Sequence, residues 1–168
     1  MERSGQSLRG FYQHFASKHE LLLALFEESV RSAADRLREL IADEDDGVAR
    51  LHRLVVEYYR MCRPAPNGSG ATALTPGMAE FAQQLLTAQP ADAARAFTPL
   101  VTLFERALAD AAATGAVRDD VAVTGVLLQT IMFNAFATTI SRSQARADDA
   151  AEQLWELILN GISSRVAT

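Results

Sequence analysis

Six apolar residues, Leu22, Phe26, Val30, Ala33, Leu37 and Ile41, recur at steps of three or four. That spacing places them on one face of an α-helix of about five turns. Ser17 stands just before the pattern as a candidate N-cap, and Glu20 follows three residues later, so the helix opens with a capping box. A long helix with one apolar face is stable in water only when that face is covered. The rest of the chain therefore has to supply partners for it.

The partners are more helices. Val48, Leu51, Val55, Tyr58 and Cys62 repeat the same period and stop before Pro64, and the acidic run Asp43–Asp46 with Gly47 breaks the chain between the two helices. "PAPNGSGATALTPG", Pro64 to Gly77, is the one long loop signal. Met78, Phe81, Ala82 and Leu85 predict a short helix ending near Pro90. Phe97, Val101, Phe104 and Leu108 predict another that Gly115 ends, with Pro99 in its first turns and hence a bent or late start. Asp119 or Asp120 can cap the next helix, and no residue from Val121 to Ser141 is charged. Its length invites a membrane reading, but Thr124, Gln129, Thr130, Asn134, Thr138 and Thr139 are spread around it, which fits a helix buried on two sides. The last helix starts near Asp148, with Leu154, Trp155, Ile158 and Ile162 as its stripe. With a short helix from Ser7 to Phe15, the expectation is an all-α fold of about seven or eight helices and no strand.

A hydrophobic fraction of 49% in 168 residues supports a sizeable core. The single cysteine, Cys62, cannot form an internal disulfide, and no secretory signal pattern opens the chain, so a cytoplasmic protein without a membrane anchor is expected. The net charge of −5 argues against a nucleic-acid binder taken whole. Between Met1 and His19, however, Arg3, Arg9 and Lys18 face Glu2 alone, so positive charge gathers at the start. The histidines His14, His19 and His52 show no metal-ligand spacing, and no catalytic triad or phosphate loop is present, so neither an enzyme nor a cofactor is expected.

Ser4-Gly5-Gln6-Ser7 reads as a tight turn, with Gly5 free to take positive φ and Ser7 able to cap the helix that follows. Helix, glycine-bearing turn and second helix make a helix-turn-helix, whose second helix enters the major groove. The next helix begins at Ser17, where free N–H groups form an anion site and Lys18 adds a full positive charge. The stretch "SGQSLRGFYQHFASKHELLLALFEE" resembles the TetR family of bacterial transcriptional regulators. The Phe11-Tyr12, His14-Phe15 and Ser17-Lys18 pairs and the Leu21 to Leu25 run fall where the family has them.

The resemblance implies a homodimer, a double-stranded DNA operator as partner and a small apolar effector. It implies a partial helix-turn-helix head over residues 1–27 and a helical effector-binding and dimerisation domain over 28–168. Tyr12 and Lys18 would grip phosphates, as would His14; Gln6, Ser7, Leu8, Arg9 and Gln13 lie where family members touch bases or backbone. Arg9 is suited to a guanine edge. Phe11 and Phe15 would seat the recognition helix. Gly10 departs from the Ser or Thr common in the family, which removes a side-chain contact and costs about 1 kcal/mol of helix propensity. The family's first helix and most of its second have no counterpart before Ser4, so a truncated chain or a misplaced start codon is expected. The alternative function is a dimeric helical small-molecule-binding protein that does not bind DNA.

Tyr58, Tyr59, Met61, Met78, Phe81, Phe97, Phe104 and Phe133 are either plain core or the walls of an effector pocket between helices. Gln84, Gln129 and Asn134 are polar candidates whose partner would be an effector, a core hydrogen bond or a second subunit. Val126, Thr130, Phe136, Leu154, Trp155, Ile158 and Ile162 are assigned to a dimer interface built from the last two helices, which the resemblance implies and their two-sided apolarity supports.

Overall fold

The computed structural model describes residues 17–62, 76–118, 125, 129–131 and 147–163. The short helix at Ser7–Phe15, the loop 63–75 and most of the uncharged stretch 121–141 lie outside the described residues. Five helices have defined bounds among them: α1 (Lys18–Leu40), α2 (Gly47–Met61), α3 (Pro76–Ala88), α4 (Pro90–Ala113) and α5 (Ala147–Ile162). Gly125 and residues 129–131 are also helical. The fold is all-α; the only β-type pairing among the described residues is an isolated antiparallel bridge between Val117 and Ser163. No described helix is long and apolar enough to cross a membrane.

The helix starts follow local chemistry. Ser17 has extended backbone and its Oγ accepts from the Glu20 N–H at 3.1 Å, which makes the serine half of the capping box. Asp46 does the same for α2, its Oδ1 accepting from the Ala49 N–H at 2.7 Å. The acidic run therefore ends in a cap. Pro90 sits at the start of α4, where a missing N–H costs nothing. Gly115 leaves α4 with φ at 77°, a left-handed conformation suited to glycine.

Helix α4 is the hub. It packs on α1, α2 and α3, while α5 packs on α2 and on no other described helix. Two sequence expectations change here. The late start placed at Pro99 is absent: α4 begins at Pro90 and carries Pro99 inside it. The broken backbone bond costs about 3 kcal/mol. Burial of Ala93, Ala96, Phe97, Leu100, Leu103 and Phe104 on the same helix offsets it. Gly47 is also more than a breaker. It is buried in the first turn of α2, and a Cβ there would lie 2.6 Å from the Asp110 carbonyl oxygen of α4. Only glycine lets those two backbones meet.

That approach sets the polarity of the bundle: the start of α2 lies against the end of α4, so the two run antiparallel. Arg50 reinforces the junction, donating to Asp110 at 2.6 Å and to the Glu44 carbonyl at 3.0 and 2.6 Å. After Gly115 the chain turns onto the end of α5, where the Arg118 N–H donates to the Ile162 carbonyl at 2.9 Å. One hydrophobic core includes residues of all five helices. The expected head–body boundary at 27/28 falls inside α1, which runs unbroken from Lys18 to Leu40 and contributes Leu23 and Phe26 to that core.

Candidate functional site

The start of α1, the end of α2, helix α3 and the start of α4 gather at the end of the bundle opposite Gly47. Phe26 of α1 is its centre. Fully buried, it meets Phe97 of α4 edge-on at 5.2 Å and Phe81 of α3 at 6.0 Å. His19, in the first turn of α1, lies 5.6 Å from the same Phe81 ring. Tyr58 of α2 packs edge-on against Phe104 of α4 at 5.6 Å. Such pairs add about 0.5–1.5 kcal/mol each beyond the area they bury. Met61 and Met78, both half-buried, pack against this core, and Tyr59 is buried beside Tyr58 on α2.

Two polar atoms interrupt the apolar surface. Among the described residues, His19 Nε2 is buried without a hydrogen-bond partner, and the buried Tyr58 hydroxyl has only the Cys62 thiol. Tyr58 is only 2% exposed. A buried group left unpaired costs about 1–3 kcal/mol, so native folds contain few of them. The Cys62 thiol, one turn along α2, is the nearest polar neighbour and a poor partner. Burial first, and then Cys62, raise the Tyr58 hydroxyl well above its ordinary pKa. Burial pushes the Cys62 thiol up to about 12, the Tyr58 hydroxyl pulling weakly the other way. The thiol therefore stays protonated and unreactive at neutral pH. Neither group ionises there, and no Asp, Glu, Lys or Arg is buried among the described residues.

The expected pocket residues divide. Tyr58, Tyr59, Met61, Met78, Phe81, Phe97 and Phe104 belong to the core or pack on it. Gln84 and Gln129 are exposed, which corrects their assignment as anchors of an interior site. Gln84 lies at the edge of the α3 stripe formed by Phe81, Ala82 and Leu85, on the side that meets solvent. Phe133 and Asn134 lie outside the described residues.

The last-helix stripe is corrected as well. Leu154, Trp155, Ile158 and Ile162 are buried within this single chain, so they are not free surface for a second copy. They face α2, where His52 Nε2 lies 2.8 Å from Glu152 Oε2 and its ring 5.0 Å from Trp155. The outward face of α5 carries Leu157, 66% exposed. Thr130 is half-buried, and Val126 and Phe136 lie outside the described residues.

Of the expected DNA contacts, Lys18 alone is described: it is exposed in the first turn of α1, beside the cap. Gln6, Ser7, Leu8, Arg9, Tyr12, Gln13 and His14 lie outside the described residues. Sequence reasoning gave His19 no role, only the absence of a metal-ligand spacing. Its signal was available: positions 19, 23 and 26 are spaced by four and three, which puts His19 on the apolar stripe.

The chain matches no protein-family model, no curated protein and no solved structure.

Proposed function

We propose that the chain is a TetR-like transcriptional regulator, a repressor that leaves its operator when a small apolar effector binds at the aromatic end of the bundle. The observation that carries this reading is the double duty of α1. Ser17 and Lys18 open it as the last part of the helix-turn-helix-like motif, and His19, Leu23 and Phe26 follow within it on the core side. A molecule wedged among Phe26, Phe81 and Phe97 would push on the same helix that presents Lys18 to a phosphate. In a homodimer, that push shifts the population towards a spacing of recognition helices that no longer fits half-sites about 34–36 Å apart.

The test is a gel-shift titration on the flanking intergenic DNA, using the chain with any coding sequence that precedes it in frame. Binding should weaken steeply with salt, because phosphate contacts release counterions. Absent or salt-insensitive binding would sink the proposal. The net charge of −5 favours a second reading, a dimeric helical small-molecule-binding protein without a DNA function. Ligand binding with no DNA binding in the same titration would select it.

A further inference from the structure

Helix α3 is held to the bundle differently from its neighbours. Among the described helices it meets α4 and α1 only. Of its described side chains, Phe81, Ala82 and Leu85 are buried, whereas α4 buries nine. Polar pairs join the other helices. Arg95 of α4 donates to Glu27 of α1 at 3.0 Å, and Arg50 of α2 to Asp110 of α4 at 2.6 Å. His52 of α2 lies 2.8 Å from Glu152 of α5. On α3, by contrast, Glu80, Gln83 and Gln84 are exposed, and the Thr87 hydroxyl bonds to the Gln83 and Gln84 carbonyls of its own helix.

The joint of α3 and the atoms beneath it favour opening. A single exposed residue, Gln89, separates α3 from Pro90 of α4, and its side chain makes no capping bond. A change of backbone angle there gives up no cap. The Phe81 ring of α3 covers the Phe26 and His19 rings of α1, 6.0 and 5.6 Å away. With α3 in place, His19 Nε2 is shut away from water without a partner. Opening returns that atom to water, which offsets part of the cost of exposing Phe81 and Leu85. A detached helix of 13 residues is too short to keep its hydrogen bonds in water, so its amides lose protection.

We infer that α3 is a flap, hinged at Gln89, that leaves α1 and α4 while the rest of the bundle stays folded, and that the unpaired His19 Nε2 lowers the cost of opening. Opening uncovers the Phe26–Phe97 contact, where the effector proposed above would enter. That use rests on the proposed function, and the opening itself does not.

The experiment is native-state hydrogen exchange on the full chain without ligand, at neutral pH, with low urea added in steps. Amides 81–88 of α3 should exchange at least about 100-fold faster than amides 54–58 of α2 and 103–107 of α4. The α3 rates should rise only slightly with urea, because a local opening exposes little surface, while the α2 and α4 rates climb steeply. His19→Leu keeps the apolar bulk and removes the ring nitrogen, so it should slow α3 exchange by about 5–100-fold. Protection retained in α2 and α4 shows that the variant is folded. Exchange of α3 as slow as that of α2 and α4, with the same urea slope, would overturn the flap. So would α3 amides exchanging at the rate of an unstructured chain, since no closed state would then exist. Unchanged or faster α3 exchange in His19→Leu would overturn the part given to His19 and leave the flap standing. No reading depends on DNA or effector binding, so the flap and the proposed function fail separately.

Discussion

The two ends of the helical bundle are built on opposite rules. At the end marked by Gly47, α2 and α4 meet backbone to backbone, and polar groups are matched: Asp46 caps α2 and Arg50 ties Asp110 to Glu44. At the other end the contacts are aromatic rings meeting edge-on or tilted, His19 Nε2 is buried unpaired and the Tyr58 hydroxyl has only the Cys62 thiol. The bundle is closed at one end by backbone contact and filled at the other by large buried side chains.

The contrast can be broken most directly at its centre. Phe26→Ala deletes a fully buried ring shared by three helices, and equilibrium urea unfolding should show a loss of about 3–5 kcal/mol. A loss under about 1 kcal/mol would mean that the neighbours collapse freely into the space and that the Phe26 ring does not set the spacing of the three helices. At the base, Gly47→Ala should cost about 1–3 kcal/mol, because the new methyl meets backbone that cannot swing aside. Stabilisation by Gly47→Ala, the usual outcome at an exposed helical glycine, would show that the close approach is not made.

A pH series separates the ends further. The Cys62 pKa is raised from 9.0 to about 12 in the folded chain, so the unfolded chain loses this proton first as pH rises. The stability due to the buried thiol is fully present below about pH 9. It should fall by about 1.4 kcal/mol per pH unit from there towards pH 12. Stability measured against pH for wild type and Cys62→Ala checks this, and parallel curves would refute it. The smallest effect belongs to the α2–α5 contact. Glu152→Gln weakens a half-exposed pair with His52 and should cost about 0.2–1 kcal/mol in thermal unfolding at mildly acidic pH. A larger loss would make that pair a main anchor of α5, alongside the apolar stripe.

Much of the local architecture was readable in advance. Ser17 and the stripe from Leu22 to Ile41 announced α1, and Gly115 announced the end of α4. Each depends on neighbours in the chain, through capping, period or a glycine φ. Pro99 misled because its local cost was read without the six buried side chains that carry α4 through it. The candidate site was legible in part. Phe81, Phe97, Phe104 and Tyr58 were chosen by helical spacing, whereas Gln84 and Gln129 were chosen by residue type and turned out to be exposed.

The sequence by itself determined that the chain is helical, where most of its described helices begin and end, and which face of each is apolar. Periodicity and capping are short-range, so no fold is needed to read them. Only the tertiary structure decided what each apolar face meets. It turned the α5 stripe towards α2, brought the Gly47 backbone onto Asp110, and set His19 against Phe81 at one end of the bundle. A stripe records that a face must leave water, and the partner that covers it is chosen by shape, backbone approach and the packing of all the helices together.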